Sequence, residues 1–135
     1  MKAPLFILSC FLLIPAALAQ PRTTHATFSQ MKDDVQDFNR VLSGIDGCNF
    51  QLSESAEGGM ILTMNDPVKG SVSLQVSPAS EIVLDSGDER EDGSFSKTYK
   101  VNGAGELDVV HANDAYDHAF LTGPDGRTLS CELDY

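Results

Sequence analysis

From Cys48 onward, apolar residues alternate with polar ones in short runs that are separated by turn sequences. This period of two is the spacing of a strand with one buried face, and it constrains the fold more than any other feature of the chain. Turn sequences such as Asn102-Gly103 and Gly123-Pro124-Asp125-Gly126 divide the runs into lengths that suit hairpins. The pattern predicts a mainly antiparallel sheet of seven or eight strands.

The numbering of the apolar residues determines whether the loop of one hairpin has an odd or an even number of residues. The residues on either side of the Asn102-Gly103 turn are all odd-numbered: Phe95, Tyr99 and Val101 before it, Leu107 and Val109 after it. Because residues that share a face pair with one another, odd positions pair with odd ones, and the connecting loop has three or five residues.

The last hairpin is compatible with two registers. A four-residue loop over 123–126 would pair Phe120 with Leu129, whereas a three-residue Pro-Asp-Gly loop would pair Leu121 with Leu129. The two registers differ by one residue, so the second also turns His118 to the opposite face of the sheet. Composition does not choose between them.

One segment has the period of a helix instead. Its apolar residues are spaced three or four apart, as on one stripe of an amphipathic helix: Phe28, Met31, Val35, Phe38 and Leu42. Thr27 and Gln30 have the spacing of a capping box, and Gly44 is a natural end. We predict a helix from about 28 to 43.

The first 19 residues have the composition of a signal peptide. A short basic start precedes the apolar run 5–19, and Ala17-Leu18-Ala19 marks a cleavage site before Gln20. Cleavage there predicts a secreted or periplasmic protein with no membrane span. The alternative is lipid attachment at Cys10, which follows Ile7-Leu8-Ser9 in a loose lipidation box.

The mature chain keeps two cysteines, Cys48 and Cys131, 83 positions apart. In an oxidising compartment they have one pairing, so a Cys48–Cys131 disulfide is predicted. Residues 20–26 are predicted to be a flexible N-terminal arm, and 27–135 a single globular domain. The predicted fold is α+β: an N-terminal helix packed on one curled sheet, barrel-like if the disulfide fastens the sheet where it closes.

The charge of the chain limits its partners. There are 20 Asp and Glu against 9 Lys and Arg, and loss of Lys2 with the signal peptide brings the net charge to −12. Nucleic acids and anionic membranes bind through basic patches, so neither is expected, whereas a basic protein is. Catalytic and cofactor motifs are absent, so no cofactor is predicted. We predict an exported acidic binding module with contact loops at 53–59 and 85–94, and leave its oligomeric state open.

In gross architecture the chain resembles the small, sheet-rich, one-disulfide inhibitors that Gram-negative bacteria export, including inhibitors of lysozyme. The resemblance rests on no motif, and it therefore assigns no residue a role. It implies an inhibitor of a basic extracytoplasmic enzyme.

An alternative function, a metal-dependent or acid–base enzyme, centres on the segment from His111 to His118. A four-residue turn over 113–116 would pair His111 with His118 across two strands. Two imidazoles with Asp114 or Asp117 nearby would suit zinc or copper, or acid–base work by a histidine beside a carboxylate. Two surface histidines without a ligand are the alternative.

A second alternative, a calcium-stabilised structural protein, centres on the acidic stretch 85–93. Asp85, Asp88, Glu89 and Asp92 supply carboxylates of the kind that calcium prefers. The EF-hand spacing is not met, since Arg90 or Gly87 would stand at the third ligand position. A solvated hairpin tip is the competing interpretation.

Overall fold

The computed structural model describes residues 22–42, 48–87, 91, 93–112 and 116–134. The predicted signal peptide, Cys10 and Gly44 lie outside the described residues. Within them the chain forms one helix and nine strands: β1 (Arg22–Ala26), α1 (Phe28–Leu42), β2 (Asn49–Glu54), β3 (Met60–Asp66), β4 (Gly70–Val76), β5 (Ile82–Ser86), β6 (Phe95–Val101), β7 (Gly105–Ala112), β8 (Tyr116–Thr122) and β9 (Thr128–Asp134). No described helix has the length and apolar character needed to cross a membrane.

The strands form two antiparallel sheets rather than the one curled sheet predicted. One has six strands in the order β1-β5-β6-β7-β8-β9, the other three in the order β2-β3-β4. The larger sheet is not closed into a barrel, since β1 and β9 are its two edges. The prediction was wrong because alternation reports which side chains are buried, not which strands are neighbours.

The segment predicted to be a flexible arm contributes a strand. Residues Arg22–Ala26 form β1, which pairs antiparallel with β5. The helix is therefore not the first element of the fold. The strand was missed because β1 is a polar edge strand held by backbone pairing, and it shows no apolar alternation.

The helix itself is confirmed. The Gln30 N–H donates to the Thr27 hydroxyl at 3.1 Å, and the Thr27 N–H donates to the Gln30 side-chain oxygen at 2.8 Å. These two bonds complete the predicted capping box, which satisfies backbone donors that the first turn leaves open. The predicted stripe is buried at Met31, Val35, Phe38 and Leu42.

The molecule has two layers with the core between them. The six-stranded sheet is one layer, and α1 and the three-stranded sheet lie side by side in the other. Strand β2 contacts α1, while β3 and β4 contact strands β8 and β9 of the larger sheet. Phe38 of α1 stacks on Phe95 of β6, with ring centroids 5.9 Å apart. We call the side of the six-stranded sheet that faces this second layer the inner face, and the opposite side the outer face.

The hairpin registers follow from the same alternation. Tyr99 pairs with Leu107 across a three-residue loop at 102–104, as the odd parity predicts. Leu121 pairs with Leu129, and the Gly123 N–H donates to the Arg127 carbonyl, so the last loop is 124–126. Of the two registers left open, the three-residue loop is the one adopted.

The predicted disulfide is present between Cys48, just before β2, and Cys131 of β9, with a Cα–Cα distance of 5.3 Å. It joins the two sheets to each other, whereas the sequence suggested that it would fasten the ends of one sheet. The crosslink therefore holds the second layer on the first.

Candidate functional site

A cavity of about 240 Å³ lies between α1 and the inner face of the six-stranded sheet, at strands β6, β7 and β8. Its apolar walls come from the helix stripe and the two central strands: Phe38, Val41, Leu42, Phe95 and Val109. Polar residues complete the lining: Asp34, Asp37, Lys97, His111, Asp117 and His118.

One wall of the cavity holds a histidine–aspartate pair. His111 of β7 and Asp117 of β8 are direct cross-strand partners, and His111 Nδ1 hydrogen-bonds Asp117 Oδ1. Asp117 is almost fully buried, with 2% of its surface exposed. Because Nδ1 faces Asp117, Nε2 is the ring atom left for another partner. Among the described residues Nε2 has no partner.

Stacked rings hold the imidazole in place. Phe95 pairs with His111 across β6 and β7, and their ring centroids are 5.5 Å apart. Phe38 stacks on the same Phe95 from the helix. The imidazole is therefore constrained by Asp117 and by an aromatic contact that links it to α1.

A second polar cluster joins the helix to the sheet. The Tyr99 hydroxyl donates to Asp34 Oδ2, and the Lys97 ammonium lies 3.4 Å from the same oxygen. Burial, and then the hydrogen bond to Asp34, raise the pKa of Tyr99 well above its usual value, so the phenol stays protonated. Asp34 and Lys97 both line the cavity.

Sequence reasoning missed this cluster, although a signal was present. Lys97 has the odd parity of Phe95 and Tyr99 and so lies on the apolar face of β6. Asp34 precedes Val35 on the edge of the helix stripe. Opposite charges at the margins of two apolar faces indicate an ion pair between the elements once those faces pack together.

The predicted pairing of His111 with His118 is wrong. Ala112 pairs with Tyr116, so the β7–β8 connection covers 113–115 and is one residue shorter than the turn assumed. His118 therefore pairs with Val110 and lies on the outer face, where its ring meets the edge of Phe120 at a centroid distance of 3.8 Å. A one-residue slip turns every side chain over, which explains the error.

The metal predictions find limited support. Asp114 lies outside the described residues, and the described part of the chain contains no group of three His, Cys, Asp or Glu side chains that would hold a metal ion. Of the predicted zinc or copper set, His111, Asp117 and His118 all line the cavity, and His111 and Asp117 contact each other. They do so as a hydrogen-bonded pair rather than as two ligands of one ion.

Of the predicted calcium ligands, Asp85 belongs to β5 and uses both carboxylate oxygens within the sheet. Oδ1 accepts the Thr23 hydroxyl at 2.6 Å, and Oδ2 lies 3.2 Å from the Lys100 ammonium. The Thr23 hydrogen bond, and then Lys100, lower the pKa of Asp85. The other three, Asp88, Glu89 and Asp92, lie outside the described residues, so calcium binding there stays a prediction.

The outer face carries a second candidate site, a row of side chains that runs straight across all six strands. The strand registers place these residues side by side, and we call them the outer row: Thr23, Asp85, Thr98, Asp108, Phe120 and Ser130. Each carboxylate accepts a bond from a neighbouring threonine, and the Thr98 hydroxyl reaches Asp108 Oδ1 at 3.0 Å. With strands about 4.8 Å apart, the two carboxylates are roughly 10 Å apart.

Most cations of the described chain already have partners, and one of them, Lys100, pairs with Asp85 of the outer row. Four of them form ion pairs: Lys32 with Glu54, Arg40 with Asp37, Lys97 with Asp34, and Lys100 with Asp85. Arg127 donates to the backbone carbonyls of Lys69 and Ser71 at the β4 edge. On the outer face, Asp108 and Glu106 form no ion pair with a described residue, so that surface keeps excess negative charge.

Comparisons with protein-family profiles, with curated proteins and with solved structures returned no match to this chain.

Proposed function

We propose that this protein is an exported, non-enzymatic binding module for a basic protein, and that the outer face of the six-stranded sheet is its contact surface. The outer row is the observation that supports this proposal. It places two threonine-held carboxylates and an exposed aromatic ring in line on a sheet face that no described element covers.

The row has the composition of an interaction surface. Phe120 is 37% exposed, and large aromatic side chains supply much of the energy at protein interfaces. The hydroxyls of Thr23 and Thr98 hold Asp85 and Asp108 in place before a partner arrives, which lowers the entropy cost of binding. The net charge of the mature chain adds long-range attraction of a basic partner.

The loops predicted to make contact relate to this surface in different ways. Loop 85–94 begins at Asp85, which is part of the outer row. Loop 53–59 belongs to the β2–β3 hairpin of the other sheet, where Glu57 is exposed and Glu54 pairs with Lys32 at 3.9 Å. We propose the outer row as the main contact and treat the β2–β3 hairpin as the rival surface. An inhibitor of a basic extracytoplasmic enzyme is the corresponding biological role.

Calorimetric titration with egg-white lysozyme, a small basic protein, tests the proposal. At low salt, Phe120→Ala should weaken binding roughly tenfold, and Asp108→Asn should weaken it several-fold and reduce the salt dependence. Asp33→Asn is the matched control, because it removes the same charge from an exposed position on α1. Glu57→Gln probes the rival hairpin.

The pattern across these variants separates a contact surface from general charge attraction. Equal weakening by Asp108→Asn and Asp33→Asn, or a dominant effect of Glu57→Gln, would rule out the outer row. Absence of binding by the unmodified protein at low salt would count against the whole proposal. Thermal melts of each variant confirm that the fold is retained.

The His111–Asp117 pair favours a second candidate, an acid–base hydrolase. A buried carboxylate that orients an imidazole is the arrangement of a general base. Hydrolysis of 4-nitrophenyl acetate by the unmodified protein and by His111→Ala, both checked for folding, tests this function. Equal rates for the two proteins would exclude it.

A further inference from the structure

We propose that the cavity between α1 and the inner face binds the ammonium group of a short alkylamine. This inference does not depend on the proposed function, because no residue of the outer row lines the cavity. It rests on the hydrogen-bonding capacity, the aromatic walls and the size of the cavity.

The polar residues that line the cavity have more free acceptors than donors. Asp34 uses Oδ2 for Tyr99 and Lys97, and Asp37 uses Oδ1 for Arg40, so each carboxylate keeps one oxygen without a described partner. His111 keeps Nε2, which is an acceptor in the neutral ring. Lys97 is the one ammonium donor among the described lining residues. A ligand that donates several hydrogen bonds fits this set, whereas a carboxylate ligand would meet three carboxylates, those of Asp34, Asp37 and Asp117.

The walls suit a cation as well. Ring faces attract cations within about 6 Å, and three rings line the cavity: Phe38 stacks on Phe95, and Phe95 is tilted against His111. The Lys97 ammonium lies 5.6 Å from the Phe95 centroid and beside Asp34, so an ammonium is already accommodated against this wall. A second ammonium would be placed on the side of Asp37 and His111, away from Lys97.

The size of the cavity limits the ligand to a short chain. About 240 Å³ is below the range of roughly 300–1,000 Å³ that holds drug-sized molecules. The aliphatic side chains of Val41, Leu42 and Val109 would contact the methylenes of such a chain. The same chemistry comes from two sources, a free alkylamine or the lysine side chain of a basic protein.

Titration of the isotope-labelled protein with n-butylammonium chloride, followed by NMR, tests the proposal. Saturable shifts are expected for the methyls of Val41, Leu42 and Val109, with a Kd in the millimolar range for so few atoms. Asp37→Asn should weaken binding at least about threefold, whereas Asp33→Asn, on the same helix but outside the cavity lining, should leave it unchanged. n-Butanol is the control that has the same chain without the charge, and butyrate is the control with the opposite charge.

A lack of saturable shifts with butylammonium, or equal binding of butanol or butyrate, would overturn the proposal. The source is distinguished with Nα-acetyl-lysine methylamide and its norleucine counterpart. Where butylammonium binds, additional binding of the lysine compound but not of its norleucine counterpart indicates a lysine side chain of a partner, and binding of butylammonium without the lysine compound indicates a free amine. Asp108→Asn, outside the cavity lining, should leave these shifts unchanged even if it weakens binding to lysozyme, so the two proposals fail independently.

Discussion

The inner and outer faces of the six-stranded sheet are formed by alternate residues of the same strands. On β8, Leu121 is fully buried against the second layer, whereas its neighbour Phe120 is 37% exposed on the other side. On β7, Leu107 is buried and Asp108 belongs to the outer row. The alternation of a strand thus separates residues that hold the fold together from residues free to meet a partner.

The inner face also differs along its own length. Toward the β6–β7 loop it is apolar and buried, with Tyr99, Leu107, Leu121 and Leu129 in one row. Toward the other end the rows carry Lys97, His111 and Asp117, and the cavity opens. Burial of a polar residue on a core face costs free energy unless the residue is hydrogen-bonded or paired. The polar residues with described partners here are held by hydrogen bonds and ion pairs.

Breaking the link between the layers should have the largest effect on stability. Replacement of both Cys48 and Cys131 by Ser removes a crosslink over 83 residues, for which chain entropy gives about 4.5 kcal/mol. Urea denaturation of the double variant should show a loss of that order. A loss below about 1 kcal/mol would mean that packing alone holds the sheets together.

A pair of neighbouring substitutions tests the contrast between the two faces. Leu121→Ala should lower the free energy of unfolding by about 2–5 kcal/mol, because it leaves a cavity in the core. Phe120→Ala should lower it by less than about 1 kcal/mol. Urea melts of both variants measure this, and equal losses would show that the outer face is packed against something in the folded protein.

Tyr99→Phe should have an intermediate effect, about 1–2 kcal/mol, through loss of the hydrogen bond to Asp34. Because the pKa of Tyr99 is raised on folding, its stabilising contribution is complete below about pH 10 and is lost as the pH rises further. Denaturation from pH 7 to 11 should therefore show a steeper alkaline loss for the unmodified protein than for Tyr99→Phe. Identical pH profiles would contradict the buried-phenol account.

The smallest effect is expected on the outer face, at Asp85. Its pKa is lowered on folding by Thr23 and then by Lys100, so its contribution is present above about pH 4 and is lost as the pH falls through the folded value. The stability difference between the unmodified protein and Asp85→Asn should shrink from pH 6 to pH 3. A difference that stays constant over that range would contradict the assignment, and Asp33→Asn serves as the exposed control.

Local features were predictable from the sequence because they depend on neighbours in the chain. The Thr27–Gln30 capping box, the parity of the β6–β7 loop and the Cys48–Cys131 pairing were all confirmed. Each follows from spacing, or from there being one possible partner.

The remaining features depend on which elements meet, and spacing does not report that. The polar strand β1 has no apolar pattern, and its pairing with β5 is visible only in the assembled sheet. Between β7 and β8 the predicted register was wrong by one residue, and it therefore gave His118 instead of Asp117 as the partner of His111. The contact between Asp34 and Lys97 required the helix to be docked on the sheet.

The central claim is that recognition uses the outer face, and methyl cross-saturation NMR tests it most directly. Saturation of unlabelled lysozyme in the complex should attenuate the methyl signals of outer-face Thr98 and Val83 and leave those of inner-face Leu107 and Leu121 unchanged. The account would be contradicted if the Thr98 and Val83 signals were unchanged while methyl signals of the β2–β3 hairpin or of α1 were attenuated.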